Sequence, residues 1–256
     1  MQKLRCGHLF NGIGGFQLAA HWMGWANVFH CDINEFCNRV VAKHFPQSIS
    51  YGDIKTINFK IHRGEIDLIT GGFPCQPVSK AGKRRGSEDA RWLWPEYARA
   101  ITEIQPTWIV IENVPNLVNV GIVQVFDDLE REDYMYQPFL LPASAVGAGH
   151  NRLRLWIVGF KAITYDTNPN GFGPHRAETD GCGGQQRGNE LRDEQVCLPG
   201  SLVSAGVRTG SDSRIFGVDN GISDRVDRLK SIGNAIVPQM ALVIFKMIDQ
   251  WNKKNY

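Results

Sequence analysis

The sequence predicts an α/β fold: a mostly parallel sheet covered by helices on both faces, interrupted by a small irregular segment. Three observations predict it. Strand-like and helix-like stretches alternate through the first 160 residues. A glycine-rich turn joins the first strand to the first helix, and a strongly apolar helical pattern resumes near the C-terminus after a glycine-rich stretch.

The elements follow in order. LRCGHLF (4–10) reads as a strand and GGFQLAAHWMG (14–24) as a helix closed by Gly24. ANVFHCDI (26–33) reads as a second strand, followed by a helix over 34–45 that starts at an Asn cap and stops at Pro46. Next come a third candidate strand ending at Asp53, a strand at 66–70, a helix around 93–104, the strand TWIVIENV (107–114), a helix near 119–132 and the strand RLRLWIVGF (152–160). From 161 to 228 the texture changes: this stretch holds 11 of the 27 glycines and has no helical period. GNAIVPQMALVIFKMIDQW (233–251) then reads as a long helix with Pro238 in its first turns, packing back on the first part of the chain. The expected organisation is one large discontinuous domain, 1–160 with 229–256, interrupted by a small domain at 161–228.

Composition places the chain in the soluble globular class: 256 residues, 43% hydrophobic, 21% charged, with no apolar run approaching the ~20 residues of a membrane span. Nothing in MQKLRCGHLFNGIGG suggests export. Six cysteines without a C-x-x-C pair fit reduced thiols in a cytosol better than a disulfide framework. A zinc site from His175, Cys182 and Cys197 lacks a fourth ligand at a usual spacing, so no metal is expected. Net charge is only +2, but KAGKRRG (80–86), NRLR (151–154) and DRVDRLK (224–230) are basic clusters that could converge on phosphate.

Two constellations carry chemistry. In LFNGIGGF (9–16) the spacing Gly12-x-Gly14-Gly15 differs from G-x-G-x-x-G, with Gln17 at the third glycine position. Such a turn still lets a ligand approach backbone N–H groups at a helix N-terminus. Asp32 at the end of strand two suits ribose hydroxyls, and Asp53 one strand further suits an adenine amino group, together outlining a pocket for an adenosine-containing cofactor. The second constellation is TGGFPCQPVSKAG (70–82), where Cys75 sits between prolines on a stiff loop leaving a strand end. Taken alone, Cys75 could equally be a buried small hydrophobe.

GGFPCQPVS, ENV (112–114), HNRLR (150–154) and GNAIVP (233–238), in that order behind LFNGIGG, resemble the motif series of the DNA cytosine-5 methyltransferases of bacterial or phage type. The resemblance covers nearly the whole chain except 161–215. It implies a Rossmann-like catalytic domain, S-adenosyl-L-methionine as cofactor, double-stranded DNA as substrate and a target recognition domain at 161–228. It makes Cys75 the nucleophile, Glu112 the acid that grips the cytosine edge, and Arg152 and Arg154 the arginines supporting base and loop. Cofactor contacts carry over to Phe10, Gly12, Gly14, Asp32, Asp53, Leu93 and Asn234. A cytoplasmic monomer is expected, with a cognate restriction endonuclease as a candidate partner.

The implied chemistry needs these residue types. Carbon 5 of cytosine is a poor nucleophile until a thiolate adds to carbon 6, and a protonated carboxyl at ring N3 takes up the displaced charge. The target is inaccessible inside a duplex, so the nucleotide must be flipped out. Three positions depart from the family pattern: His8 replaces Asp, Asp32 replaces Glu, and His150 replaces Gln. The usual R-x-L-T-x-R-E stretch is not evident, and residues 161–228 carry 8 basic against 10 acidic side chains where a DNA-reading surface is expected. Rival readings are an NAD-dependent dehydrogenase, which leaves the PCQP loop unexplained, and a zinc deaminase, which needs a second cysteine where Val78 stands. A non-catalytic DNA-binding relic is the third.

Overall fold

The computed structural model describes residues 3–74, 92–161 and 235–255. A seven-stranded sheet forms the frame, in the order β3-β2-β1-β4-β5-β7-β6. Its strands are β1 (Arg5–Leu9), β2 (Ala26–Cys31), β3 (Ile49–Tyr51), β4 (Leu68–Gly71), β5 (Trp108–Asn113), β6 (Tyr134–Pro142) and β7 (Leu153–Lys161). The first five run parallel, while β7 is antiparallel to both β5 and β6. The helices are α1 (Gly15–Trp22), α2 (Glu35–His44), α3 (Trp94–Ile104), α4 (Leu117–Val120), α5 (Ile122–Arg131) and α6 (Pro238–Asn255). This is the expected α/β class, a Rossmann-like arrangement.

Alternation along the strands builds two cores. On one face Leu9, Phe29, Ile69, Ile109 and Ile111 pack with α3 and α5 residues such as Tyr97, Ile101 and Leu129. On the other, Cys6, Leu68, Val110 and Trp156 pack with Phe16 of α1 and with Ile244 and Phe245 of α6. All six residues of β5 are buried, as expected for a strand covered on both sides. The return of α6 to α1 bears out the expectation that the chain packs back on its first part.

Boundaries follow local chemistry. α2 begins where the Asn34 side chain accepts from the Phe36 N–H. α6 begins at Pro238 itself rather than at 233, because proline already satisfies the first helical position. The expected helix near 119–132 is two helices broken at Gly121, where an added Cβ would meet the Trp92 ring at 2.3 Å. β6 has no counterpart in the sequence reading. Lys161, expected to open the insertion, is the last residue of β7, its N–H donating to Thr107 O at 2.9 Å. The remainder of the 161–228 segment lies outside the described residues.

The strand order reverses between β1 and β4, so the turn after β1 and the loop after β4 leave the sheet on either side of one crevice. Such switch points are where open α/β sheets bind ligands.

Candidate active site

The cofactor side is built on the turn from Phe10 to Gly14. Phe10, Gly12 and Gly14 have φ of 49°, 52° and 90°, so the chain turns through the left-handed region three times in five residues. The Gly12 N–H donates to Asp32 Oδ2 at 2.8 Å, and the Asn34 N–H donates to Asp32 Oδ1 at 2.9 Å. Asp32 thus clamps the turn to the end of β2. Burial pushes its carboxyl up from the usual range, opposed by those two backbone donors. Asn38 fixes the same corner from α2, its amide donating to Asp32 O and Tyr51 O at 2.7 and 3.2 Å. Asp53 lies two residues beyond β3 rather than within it, capping the 3-10 turn Ile54–Thr56 by accepting from the Lys55 N–H at 3.0 Å.

Phe10 and Leu93 meet through a third residue. The Phe10 ring stacks on Tyr97 at 6.2 Å, and Leu93, at the start of α3, accepts from the Tyr97 N–H at 3.2 Å. Phe73, leading into the cysteine loop, packs against Tyr97 as well as Trp92 and Trp94. One aromatic cluster therefore supports both the glycine turn and the root of the PCQ loop.

The residues fit an adenosyl amino-acid cofactor. α1 starts at Gly15 behind Gly14, with no side-chain cap and no acidic residue in its first turn, a bare helix N-terminus suited to a carboxylate. Closely over it, Ile236 fills the place a Cβ on Gly15 would take, 2.5 Å away, so the residues just before α6 reach the turn.

On the other side of the crevice, Glu112 lies near the end of β5, 8% exposed, and its Oε1 accepts from Arg154 Nε at 2.9 Å. The β5–β7 register opposes Glu112 to Trp156, which sets Arg154 two residues along the partner strand on the same face. Burial raises the Glu112 carboxyl, and the positive charges of Arg154 and Arg152 offset part of that rise. Arg152, with its backbone carbonyl accepting from the Ala143 N–H, is pushed down by burial and by Arg154 beside it. Arg154 Nη1 also donates to Leu153 O at 2.8 Å, so the guanidinium is held rather than swinging.

Two residues without an assigned role in the sequence complete this wall. The Asn113 amide donates to Phe73 O at 3.0 Å, tying β5 to the root of the cysteine loop. Gly72 leaves room for the carboxylate: an added Cβ would stand 3.0 Å from Glu112 Oε2 and 3.1 Å from Glu112 O. The paired glycine at 71–72 was the only sequence signal for that closeness.

The structure thus brings together Gly12 with Asp32, Phe10 with Leu93 through Tyr97, and Glu112 with Arg152 and Arg154. Cys75 and Asn234 lie outside the described residues, as do the clusters at 80–86 and 224–230 and the zinc candidates His175, Cys182 and Cys197. Among the described residues no group of three or more His, Cys, Asp or Glu could hold a metal, and no helix is long and apolar enough to cross a membrane.

Comparison with known proteins gives consistent matches. The family model for C-5 cytosine-specific DNA methylase matches residues 4–180. The chain is 36% identical over 172 residues to the Type II methyltransferase M.PspPI of Psychrobacter sp. (strain TA137), covering 62% of this chain and 40% of the relative. It is 35% identical over 164 residues to the Type II methyltransferase M.HpaII of Haemophilus parainfluenzae, covering 61% and 46%. Among solved structures, a DNMT2 mutant of Spodoptera frugiperda superposes with a TM-score of 0.54 at 26% identity, covering 65% of this chain and 53% of that one. The matched region spans less than half the length of those two curated relatives. With the motif order, the Rossmann-like sheet and the family match in agreement, the chain belongs to the C-5 cytosine-specific DNA methylase family.

Proposed function

We propose that this protein transfers a methyl group from S-adenosyl-L-methionine to carbon 5 of a flipped-out cytosine in a specific sequence of double-stranded DNA. The observation that carries the reading is the buried Glu112 carboxyl held by Arg154 at 2.9 Å and tied, through Asn113 and Phe73, to the loop that bears Cys75. When bound, the cofactor supplies an electrophilic methyl group on a sulfonium.

The chain's own residues supply the rest. The Cys75 thiolate adds to carbon 6 of the ring, and the Glu112 carboxyl delivers a proton to N3 as the C5–C6 π pair shifts to carbon 5. Burial shifts the Glu112 carboxyl toward its protonated form, and the charges of Arg154 and Arg152 oppose that shift. Carbon 5 then takes the methyl, the sulfonium leaving as a neutral thioether; a base removes the C5 proton, the re-formed C5–C6 double bond expels the thiolate, and N3 returns its proton to the Glu112 carboxylate. The planar forks of Arg152 and Arg154 orient Glu112 and the O2 edge of the ring. Asp32 accepts from the ribose hydroxyls, Asp53 from the adenine amino group, and Phe10, Gly12, Gly14, Leu93 and Asn234 line the remainder of the cofactor pocket.

The 161–228 segment is the proposed target recognition domain, being the long stretch left once catalysis is accounted for. The setting is cytoplasmic, the expected state a monomer, and a cognate restriction endonuclease a candidate partner. Expression in a host lacking cytosine methylation, followed by bisulfite sequencing of its DNA, tests the proposal. Methylation should appear at one short recurring sequence and vanish with Cys75→Ser. Unmethylated DNA alongside folded wild-type protein would contradict it.

A further inference from the structure

Between β3 and β4 the chain leaves the sheet and makes two short 3-10 turns, Ile54–Thr56 and Phe59–His62. Asp53, the acceptor proposed for the adenine amino group, caps the first of them. Its Oδ1 accepts from the Lys55 N–H at 3.0 Å, and its carbonyl accepts from the Thr56 N–H at 3.1 Å and from Thr56 Oγ1 at 2.9 Å. Where this turn sits, Asp53 sits.

Arg99 of α3 fastens the turn from the helix side. Its Nη2 donates to Ile54 O at 2.8 Å and its Nη1 to Ile57 O at 2.9 Å. The guanidinium is itself held, Nε donating to Glu96 Oε2 at 2.9 Å and Nη1 to Glu103 Oε1 at 3.0 Å. Glu103 completes the clasp, since its Oε2 accepts from the Phe59 N–H at 2.6 Å, and the guanidinium carbon lies 5.8 Å from the centre of the Phe59 ring. The main chain of 54–59 is thus tied to one helix by two side chains. A planar fork with five N–H donors serves two carbonyls and two carboxylates at once, whereas an ammonium carries three donors on one atom. The same helix has Leu93, a proposed cofactor contact, at its N-cap. α3 therefore carries one contact directly and anchors the turn that bears another.

We infer that Arg99 is a positioning residue for the cofactor: by holding the 54–59 main chain to α3 it sets Asp53 for the adenine amino group, an inference that rests on the S-adenosyl-L-methionine reading above. Calorimetry on the full chain tests it with two probes, S-adenosyl-L-homocysteine and the analogue in which hydrogen replaces its adenine amino group. Wild type should bind the amine-bearing probe more tightly by about 10- to 100-fold, the scale of a hydrogen bond to a charged group. Arg99→Lys keeps the charge and loses the fork; it should lose most of that preference while binding the analogue as wild type does. In an Asp53→Asn background, where the preference is already gone, Arg99→Lys should change neither affinity, because it acts through Asp53. If Arg99→Lys does not fold, Glu103→Gln, which frees the guanidinium on one side, carries the test with a partial loss of preference.

A preference in Arg99→Lys equal to that of wild type would overturn the inference while leaving the cofactor reading intact. So would an equal weakening of both probes, the mark of a merely structural arginine. A wild type indifferent to the adenine amino group would take Asp53 out of that contact and the inference with it. Binding of neither probe by wild type would remove the cofactor reading and the inference together.

Discussion

Arg154 Nε donates to Glu112 Oε1 at 2.9 Å across the β5–β7 pair, with the Glu112 side chain 10% and the Arg154 side chain 22% exposed. The contact is semi-buried and charge-assisted, so both direction and charge matter. Arg154→Lys keeps the charge and loses the fork. Methyl transfer is expected to fall about 10- to 100-fold, the cost of a hydrogen bond to a charged group, with a smaller effect on thermal unfolding. Single-turnover rates beside melting curves check this, and equal rates would reduce Arg154 to a structural arginine.

Gly72→Ala probes the same wall from the other side. A Cβ 3.1 Å from the Glu112 carbonyl must displace β5 or the carboxylate by a few tenths of an ångström. The expected outcome is a folded protein with slower chemistry and nearly unchanged cofactor affinity, because Gly72 lies away from the turn at 10–14. A cofactor affinity that falls as far as the rate would show that the two sides are not separable.

Asp32→Ala removes an acceptor proposed for the ribose and also the anchor of the Gly12 N–H. S-adenosyl-L-methionine binding should weaken by about 1.5–3 kcal/mol. Asp32→Glu restores the residue usual in the family and should recover much of the affinity. Calorimetry decides, and unchanged affinity in a folded Asp32→Ala variant would take Asp32 out of the site.

His8 and His30 make stability pH-dependent. Both rings are buried, His8 between Thr70 Oγ1 and Asn27 Oδ1 at 2.7 Å each, His30 beside Ser48 Oγ at 2.9 Å. Burial lowers them from 6.5 to about 3 and about 4. The unfolded chain then binds protons that the folded chain refuses, so their contribution is full above pH 6.5. Below that it falls by about 1.4 kcal/mol per pH unit per histidine until the folded rings titrate. His30→Gln should therefore lose less stability than wild type between pH 6.5 and 4.5 in denaturant titrations. Parallel losses would mean that His30 is protonated in the fold.

Where the fold was legible, short-range signals agreed with long-range packing. The Asn34 cap, the glycine turn and the apolar run of β5 each stated their element locally. β6 was missed because YMYQPFLLP does not alternate and carries Pro138; at the sheet edge, where it pairs only with β7, proline costs little. The break at Gly121 was invisible because the ring packed where a side chain would stand, Trp92, lies 29 residues away in sequence. Motif order gave Glu112 and Arg154 together, whereas the roles of Asn113 and Gly72 needed the β4–β5 neighbourhood.

The central claim is a covalent one at Cys75. A duplex bearing 5-fluorocytosine at the methylated position offers no C5 proton to remove, so thiolate addition followed by methyl transfer leaves the enzyme attached. Incubation with that duplex and S-adenosyl-L-methionine, followed by denaturing electrophoresis, should give a protein–DNA species that requires both and disappears in Cys75→Ser. The same species persisting in Cys75→Ser, or absent from active wild-type protein, would contradict the account.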